Sequence, residues 1–263
     1  MIMFLVAAAL VQATTLQQRL ELPFPAQRQL MVERIRTDVR WSATTADTPA
    51  LERALEVIGK LPREQFVAAK GKRFAYVDAP QQIGFDQTIS DPYIVAIMTA
   101  ALDLPPGASV LDVGTGSGYQ AAVLSSLAAK VSSIEIVDPL AKAAAKRLQG
   151  MGYKNVAVRS GDGFAGWPEN APFDGIIVAA GAAIVPQPLI DQLKPGGRLV
   201  MPIGKSQVLE QLLVITKHGD GSISRCSLGW AMFVPLTGKG ETPHDPRGLF
   251  DRSIPLCHGA PIT

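Results

Sequence analysis

From Leu30 to Trp41 the apolar residues Met31, Ile35 and Val39 stand four apart, the spacing of one helical face, and predict a helix. A second short amphipathic helix is predicted just beyond it. Asp47 or Thr48 would cap it, Pro49 opens it, Leu51, Ala54, Leu55 and Ile58 share one face, and Gly59 ends it. A third apolar segment, Tyr93 to Leu104, follows Pro92 and stops at Pro105-Pro106-Gly107. Residues 30–107 therefore read as a mainly helical lead-in, preceded by an N-terminal extension over residues 1–29.

From Ala108 short apolar runs alternate with helical stretches, the pattern of a parallel sheet covered on both faces. Strands are predicted at Val110 to Val113, Lys130 to Val137, Val156 to Arg159, Gly175 to Ala179 and Arg198 to Ile203. Helices are expected over Tyr119 to Ala129, Leu140 to Met151 and Pro186 to Leu193, and right-handed crossovers then give one doubly wound α/β sheet. Leu209 to Thr216 and Ser224 to Val234, joined by His218-Gly219-Asp220-Gly221, read as an antiparallel pair at the sheet edge. The expected division is an α/β domain over residues 108–237 with a loop-like tail over 238–263.

Composition narrows the class of function. The 263 residues carry 25 Lys and Arg against 23 Asp and Glu, a net charge of +2 with no basic run, which does not suit nucleic acid as the main partner. The apolar share of 47% is that of a globular enzyme rather than a disordered chain. Residues 4–11 form an uncharged apolar run with a small-residue site at Val11 and Ala13, resembling a short export signal, although Met1-Ile2-Met3 lacks the usual positive charge. The run is too short for stable membrane insertion, which takes about 20 residues. The alternative is a buried or frayed N-terminal segment. Cys226 and Cys257 are too few for a disulfide framework or a four-thiolate metal site, and no metal is expected; in an exported protein the two would pair and clip the tail to the body.

The candidate chemistry sits where strands give way to helices. Val110 to Tyr119 places Gly114, Gly116 and Gly118 directly after a strand and before a helix, so that a ligand can approach the backbone closely. Asp112 at the strand end would repel a pyrophosphate and attract the ammonium of a methionine-derived ligand, which suggests S-adenosylmethionine over a dinucleotide. Glu135 ends the next strand, where a carboxylate can accept from two ribose hydroxyls of either cofactor. Gly161-Asp162-Gly163 follows the third strand; it is either a surface turn or an acceptor for an adenine amino group. Strand ends of such a sheet converge on one crevice, so the three together predict a nucleoside-type cofactor. His218, His244 and His258 all follow the sheet strands, and no Ser-His-Asp or Cys-His set is apparent. An acceptor carboxylate, already ionised at neutral pH, needs no strong base to attack a sulfonium methyl.

Gln87-Thr88-Ile89-Ser90 with Pro92, the Asp112 to Gly118 loop, Leu193 to Val200 (LKPGGRLV) and Val234-Pro235-Leu236-Thr237 together resemble the protein-L-isoaspartate O-methyltransferase family, in order and spacing, from about residue 30 to about 240. The resemblance implies a class I methyltransferase fold. It also implies methyl transfer from S-adenosylmethionine to the free carboxylate of L-isoaspartyl, or D-aspartyl, residues of damaged proteins, the expected partners of what is expected to be a monomer. It places the family's active-site serine on Ser90, whose hydroxyl can hold the acceptor carboxylate in line with the methyl and would otherwise be a helix cap. Cofactor contacts carry over to Thr88, Ile89 and Ser90 as part of a lid, to Asp112, Gly114, Thr115, Gly116 and Gly118, to Glu135 for ribose, to Asp162 for adenine, and to Thr237. Two positions depart from the family: Asp91 adds a charge beside Ser90 that would either weaken binding of an acidic substrate or face solvent, and Val95 replaces a histidine found in some members. The rival readings are a methyltransferase for another carboxylate and a non-catalytic binder of damaged chains with the same fold.

Overall fold

A computed structural model of the chain describes residues 15–42, 48–204, 209–240, 251 and 253–258. The possible export signal lies outside them, as does Asp47. The lead-in contains α1 (Leu16–Leu20), α2 (Phe24–Trp41) and α3 (Pro49–Ile58). The α2 helix starts at Phe24, seven residues before Met31 opens its apolar stripe, and Pro25 is tolerated in its first turn because the N–H it lacks would be orphaned there anyway. Thr48 caps α3, its hydroxyl accepting from the Leu51 N–H at 3.1 Å.

Next comes a hairpin with no alternating signal in the sequence, β1 (Gln81–Gly84) and β2 (Gln87–Ile89). Its turn puts Phe85 and Asp86 at φ 54° and 56°. Both are left-handed, as a type I′ hairpin turn demands, yet neither is the Asn-Gly or Asp-Gly pair that usually announces one. The α4 helix (Pro92–Leu102) follows immediately.

The α/β part then runs β3 (Ser109–Val113), α5 (Tyr119–Ser125), β4 (Lys130–Glu135), α6 (Asp138–Gly150), β5 (Val156–Ser160), β6 (Phe173–Val178), α7 (Gln187–Asp191), β7 (Leu193–Ile203), β8 (Glu210–Lys217) and β9 (Ile223–Ala231). The sheet order is β5-β4-β3-β6-β7-β8-β9, parallel through β7 and antiparallel at β8 and β9, so the expected doubly wound class and its antiparallel edge are both present. Apolar side chains cover both faces. On one lie Ile35, Leu55, Val95 and Met98 of the lead-in with Val110, Tyr119 and Val131; on the other lie Leu111, Val113, Ile176 and Leu199.

The chain leaves β3 toward β4 on one side and returns from β5 to β6 on the other. That reversal opens a crevice at the carboxyl ends of β3, β4 and β6, the place where doubly wound sheets bind ligands. The tail is less loop-like than its composition implies: Cys226 and Cys257 are disulfide-bonded, and Pro255 to Cys257 pairs with Ser227 beside β9.

Candidate active site

The crevice at these strand ends holds an open cleft. Four segments of its wall carry the expected residues. Gly114, Thr115 and Gly116 come from the loop after β3, Glu135 and Ile136 from the end of β4, Gln87 to Ser90 from the hairpin, and Val234 to Thr237 from the segment after β9. That last segment reaches the cleft because it pairs with Gly181 beyond β6, the Gly181 N–H donating to Val234 O at 2.8 Å and the Leu236 N–H to Gly181 O at 2.7 Å. Of the residues expected from the sequence, Thr88, Ile89, Ser90, Gly114, Thr115, Gly116, Glu135 and Thr237 line one cleft, whereas Asp112, Gly118 and Asp162 stand behind its walls.

Each of the three behind the wall has a visible task. Gly118 begins α5 at φ 88°, and a Cβ there would sit 3.1 Å from Leu148 Cδ1, so glycine is needed both for the turn and for the approach of α6. Asp162 Oδ1 accepts from the Phe164 N–H and Oδ2 from the Lys239 N–H, each at 2.9 Å, which fastens the stretch after Thr237 to the end of β5. It is therefore a cross-link between two segments rather than a surface turn. Asp112 has no solvent exposure; Oδ2 accepts from the Ser133 hydroxyl at 2.7 Å and Oδ1 has no partner among the described residues. Burial above all pushes its carboxyl up to about 7, with the Ser133 hydrogen bond opposing and the nearby Glu135 charge adding to the rise.

Glu135 Oε2 accepts from the Gly116 N–H at 2.7 Å and Oε1 from the Val137 N–H at 2.9 Å, so its carboxylate is already aimed along the cleft edge with lone pairs to spare. The hairpin lies across the glycine loop: a Cβ on Gly116 would meet Ile83 Cδ1 at 3.1 Å, leaving a side chain there little room. These features fit a nucleoside-type cofactor: a carboxylate at a β4 end, a glycine cradle with backbone N–H groups, and an orphaned buried carboxylate oxygen beneath it. Among the described residues no group of three metal-ligating side chains occurs, and no helix is long and apolar enough to cross a membrane.

Helix capping, the alternative role for Ser90, falls instead to Asp91, whose Oδ1 accepts from the Ile94 N–H at 2.8 Å. Asp91 is partly buried and its pKa is raised, mainly by burial, with the Ile94 hydrogen bond opposing; the carboxylate turns toward the start of α4. Ser90, which lines the cleft, is left free of the capping duty. Sequence reasoning missed Tyr119, which lines the cleft, and Arg63, which is fully buried next to it. Neither carries a local signal, since Leu61-Pro62-Arg63-Glu64-Gln65 reads as a polar loop.

Fold and cleft define a class I methyltransferase. The sequence model described as protein-L-isoaspartate(D-aspartate) O-methyltransferase matches residues 41–241. The chain is 50% identical over 210 residues to a protein-L-isoaspartate O-methyltransferase 2 of Polaromonas sp., covering 80% of this chain and the whole of that one. It is 47% identical over 217 residues to a protein of the same description from Syntrophobacter fumaroxidans, covering 82% and 88%. A solved protein-L-isoaspartate O-methyltransferase superposes with a TM-score of 0.69 at 26% identity, covering 80% of this chain and 67% of that one. The chain belongs to the protein-L-isoaspartate(D-aspartate) O-methyltransferase family.

Proposed function

We propose that this protein transfers the methyl group of S-adenosylmethionine to the free carboxylate of L-isoaspartyl residues, and of D-aspartyl residues, in damaged proteins. The observation that carries the reading is the convergence of Ser90 with the glycine loop and Glu135 on one cleft, in a chain of this family. S-adenosylmethionine supplies an electrophilic methyl on a sulfonium. Glu135 would hold its ribose hydroxyls, the N–H groups of the glycine loop its polar methionine end, and Asp112 would supply a favourable field for its ammonium, while Asp162, from behind the wall, would fix the Gly163 turn that faces its adenine. Thr88 and Ile89 close the cleft from the hairpin, and Thr237 closes it from the C-terminal side.

The acceptor carboxylate is ionised at neutral pH, so no base has to act on it. Ser90 donates a hydrogen bond to one carboxylate oxygen and leaves the other pointed at the methyl carbon. Catalysis then rests on alignment and on exclusion of water. The methyl ester carries methoxide, a far better leaving group than the oxide a carboxylate would have to expel, so the neighbouring peptide nitrogen can close a succinimide with loss of methanol, and water reopens the ring in part to a normal aspartyl bond.

The test is to incubate the protein with methyl-labelled S-adenosylmethionine and matched peptides containing L-isoaspartate, D-aspartate or L-aspartate. Alkali-labile label is then measured as released methanol. Labelling that depends on isoaspartate is expected. Cofactor binding without any labelling would refute the reading in favour of a non-catalytic binder, and labelling of another carboxylate alone would redirect the acceptor.

A further inference from the structure

Arg63 has no solvent exposure, although it lies in a short 3-10 turn of the lead-in, Arg63–Gln65. Its Nη2 donates to the main-chain oxygen of Ser90 at 2.6 Å and its Nε to that of Ala75 at 2.8 Å. The guanidinium lies over the ring of Tyr119, 4.7 Å from the centroid, and Tyr119 begins the helix that the glycine loop opens. Nη1 has no hydrogen-bond partner among the described residues. Burial lowers the pKa of the Arg63 guanidinium, opposed first by the Tyr119 hydroxyl and then by the Asp91 carboxylate.

A guanidinium taken out of water costs several kcal/mol, and an aliphatic side chain would fill the same space without that cost. What an aliphatic chain cannot do is donate in two directions from one rigid plane while stacking on a ring. Ser90 sits between β2 and the cap of α4, where its carbonyl belongs neither to the hairpin ladder nor to the helix. A buried carbonyl in that position needs a donor, and the donor sets the plane of the Ser90–Asp91 peptide. That plane in turn sets the direction of the Ser90 Cα–Cβ bond and the range its hydroxyl can reach.

We propose that Arg63 is a positioning residue for methyl transfer: by gripping the Ser90 carbonyl while stacked on Tyr119, it holds the acceptor turn in register with the cofactor loop. The proposal rests on the reading of Ser90 as the residue that orients the acceptor. Reactions that depend on alignment lose about 100-fold for a misplacement of about 1 Å, so loss of the fork is expected to act on turnover.

The experiment is a double-mutant cycle of Arg63→Lys with Ser90→Ala on the full chain, using the isoaspartyl peptide assay and calorimetry with S-adenosylhomocysteine. Lysine keeps the charge and loses the fork. Activity of the unaltered protein on isoaspartyl peptide tests the functional reading separately. Arg63→Lys alone is expected to lower kcat tenfold or more, with the S-adenosylhomocysteine Kd changed less than twofold. On the Ser90→Ala background the same substitution is expected to lower kcat less than twofold, because no hydroxyl remains to be aimed. Equal losses on both backgrounds, a Kd loss matching the kcat loss, or an unchanged kcat would overturn the proposal. If Arg63→Lys does not fold by circular dichroism, Arg63→Gln, which keeps one donor, takes its place in the cycle. Failure of both to fold would assign Arg63 to the core and overturn the proposal as well.

Discussion

The buried Asp112 is expected to make cofactor affinity pH-dependent in a range where isoaspartyl transfer is easily assayed. Its carboxyl is pushed up to about 7 by burial, partly offset by the Ser133 hydroxyl and reinforced by the Glu135 charge. A ligand bearing an ammonium on the loop above it binds better when Asp112 is ionised. The apparent Kd then scales with the inverse of the ionised fraction, so it weakens about tenfold between pH 8 and pH 6. The ammonium of S-adenosylhomocysteine stays protonated over that interval, and calorimetric titration at pH 6, 7 and 8 reads the effect directly. Asp112→Asn should bind more weakly at pH 8 and show a flat profile. The same residue has a second consequence for the ligand-free protein. Its folded pKa lies above the unfolded value near 3.9, so its contribution to stability is complete below that value and is lost as pH rises through about 7, by up to about 4 kcal/mol. Equal Kd values at pH 6 and pH 8, or an identical pH slope in Asp112→Asn, would refute the argument and leave Asp112 with a purely structural role.

Three further outcomes are expected. Ser90→Ala should lower kcat on isoaspartyl peptide roughly tenfold or more, equivalent to about 1.4 kcal/mol, while S-adenosylhomocysteine affinity measured by calorimetry stays within twofold. Reduction of the Cys226–Cys257 bridge, whose partners are 31 residues apart and enclose the cleft segment Val234 to Thr237, should lower stability by about 3–4 kcal/mol on the loop-entropy model. A thermal melt with and without reductant checks it, and an unchanged Tm would refute it. Asp91→Ala should cost about 1 kcal/mol or more by removing the cap on Ile94, whereas Asp91→Asn should retain most of the stability, as read by urea unfolding.

Much of the architecture follows from local pattern, because burial on both faces of a parallel sheet forces continuous apolar strands and glycines where strands turn into helices. Hence β3 to β7, the antiparallel edge and the glycine loop were legible from residue order alone, and so were Glu135 and, through family resemblance, Ser90. Position along a strand also implied that Glu135 and the loop meet, since the carboxyl ends of adjacent parallel strands lie side by side. What tertiary structure decided is which polar groups are removed from water and who satisfies them. The β1–β2 hairpin was hidden because its turn uses Phe85 and Asp86 rather than glycine. Asp91 stands directly before Pro92, which suits the first helical position, and Asp91 caps α4 by accepting from the Ile94 N–H. Arg63 reads as an ordinary loop charge until Ala75, Ser90 and Tyr119, from three separate segments, close around it. Cys226 and Cys257 could pair only once the tail had folded back along β9. Periodicity reports which face of an element is apolar, whereas the contacts that set a carboxyl near 7 or bury a guanidinium come from residues far apart in the chain, and only the packed fold brings them together.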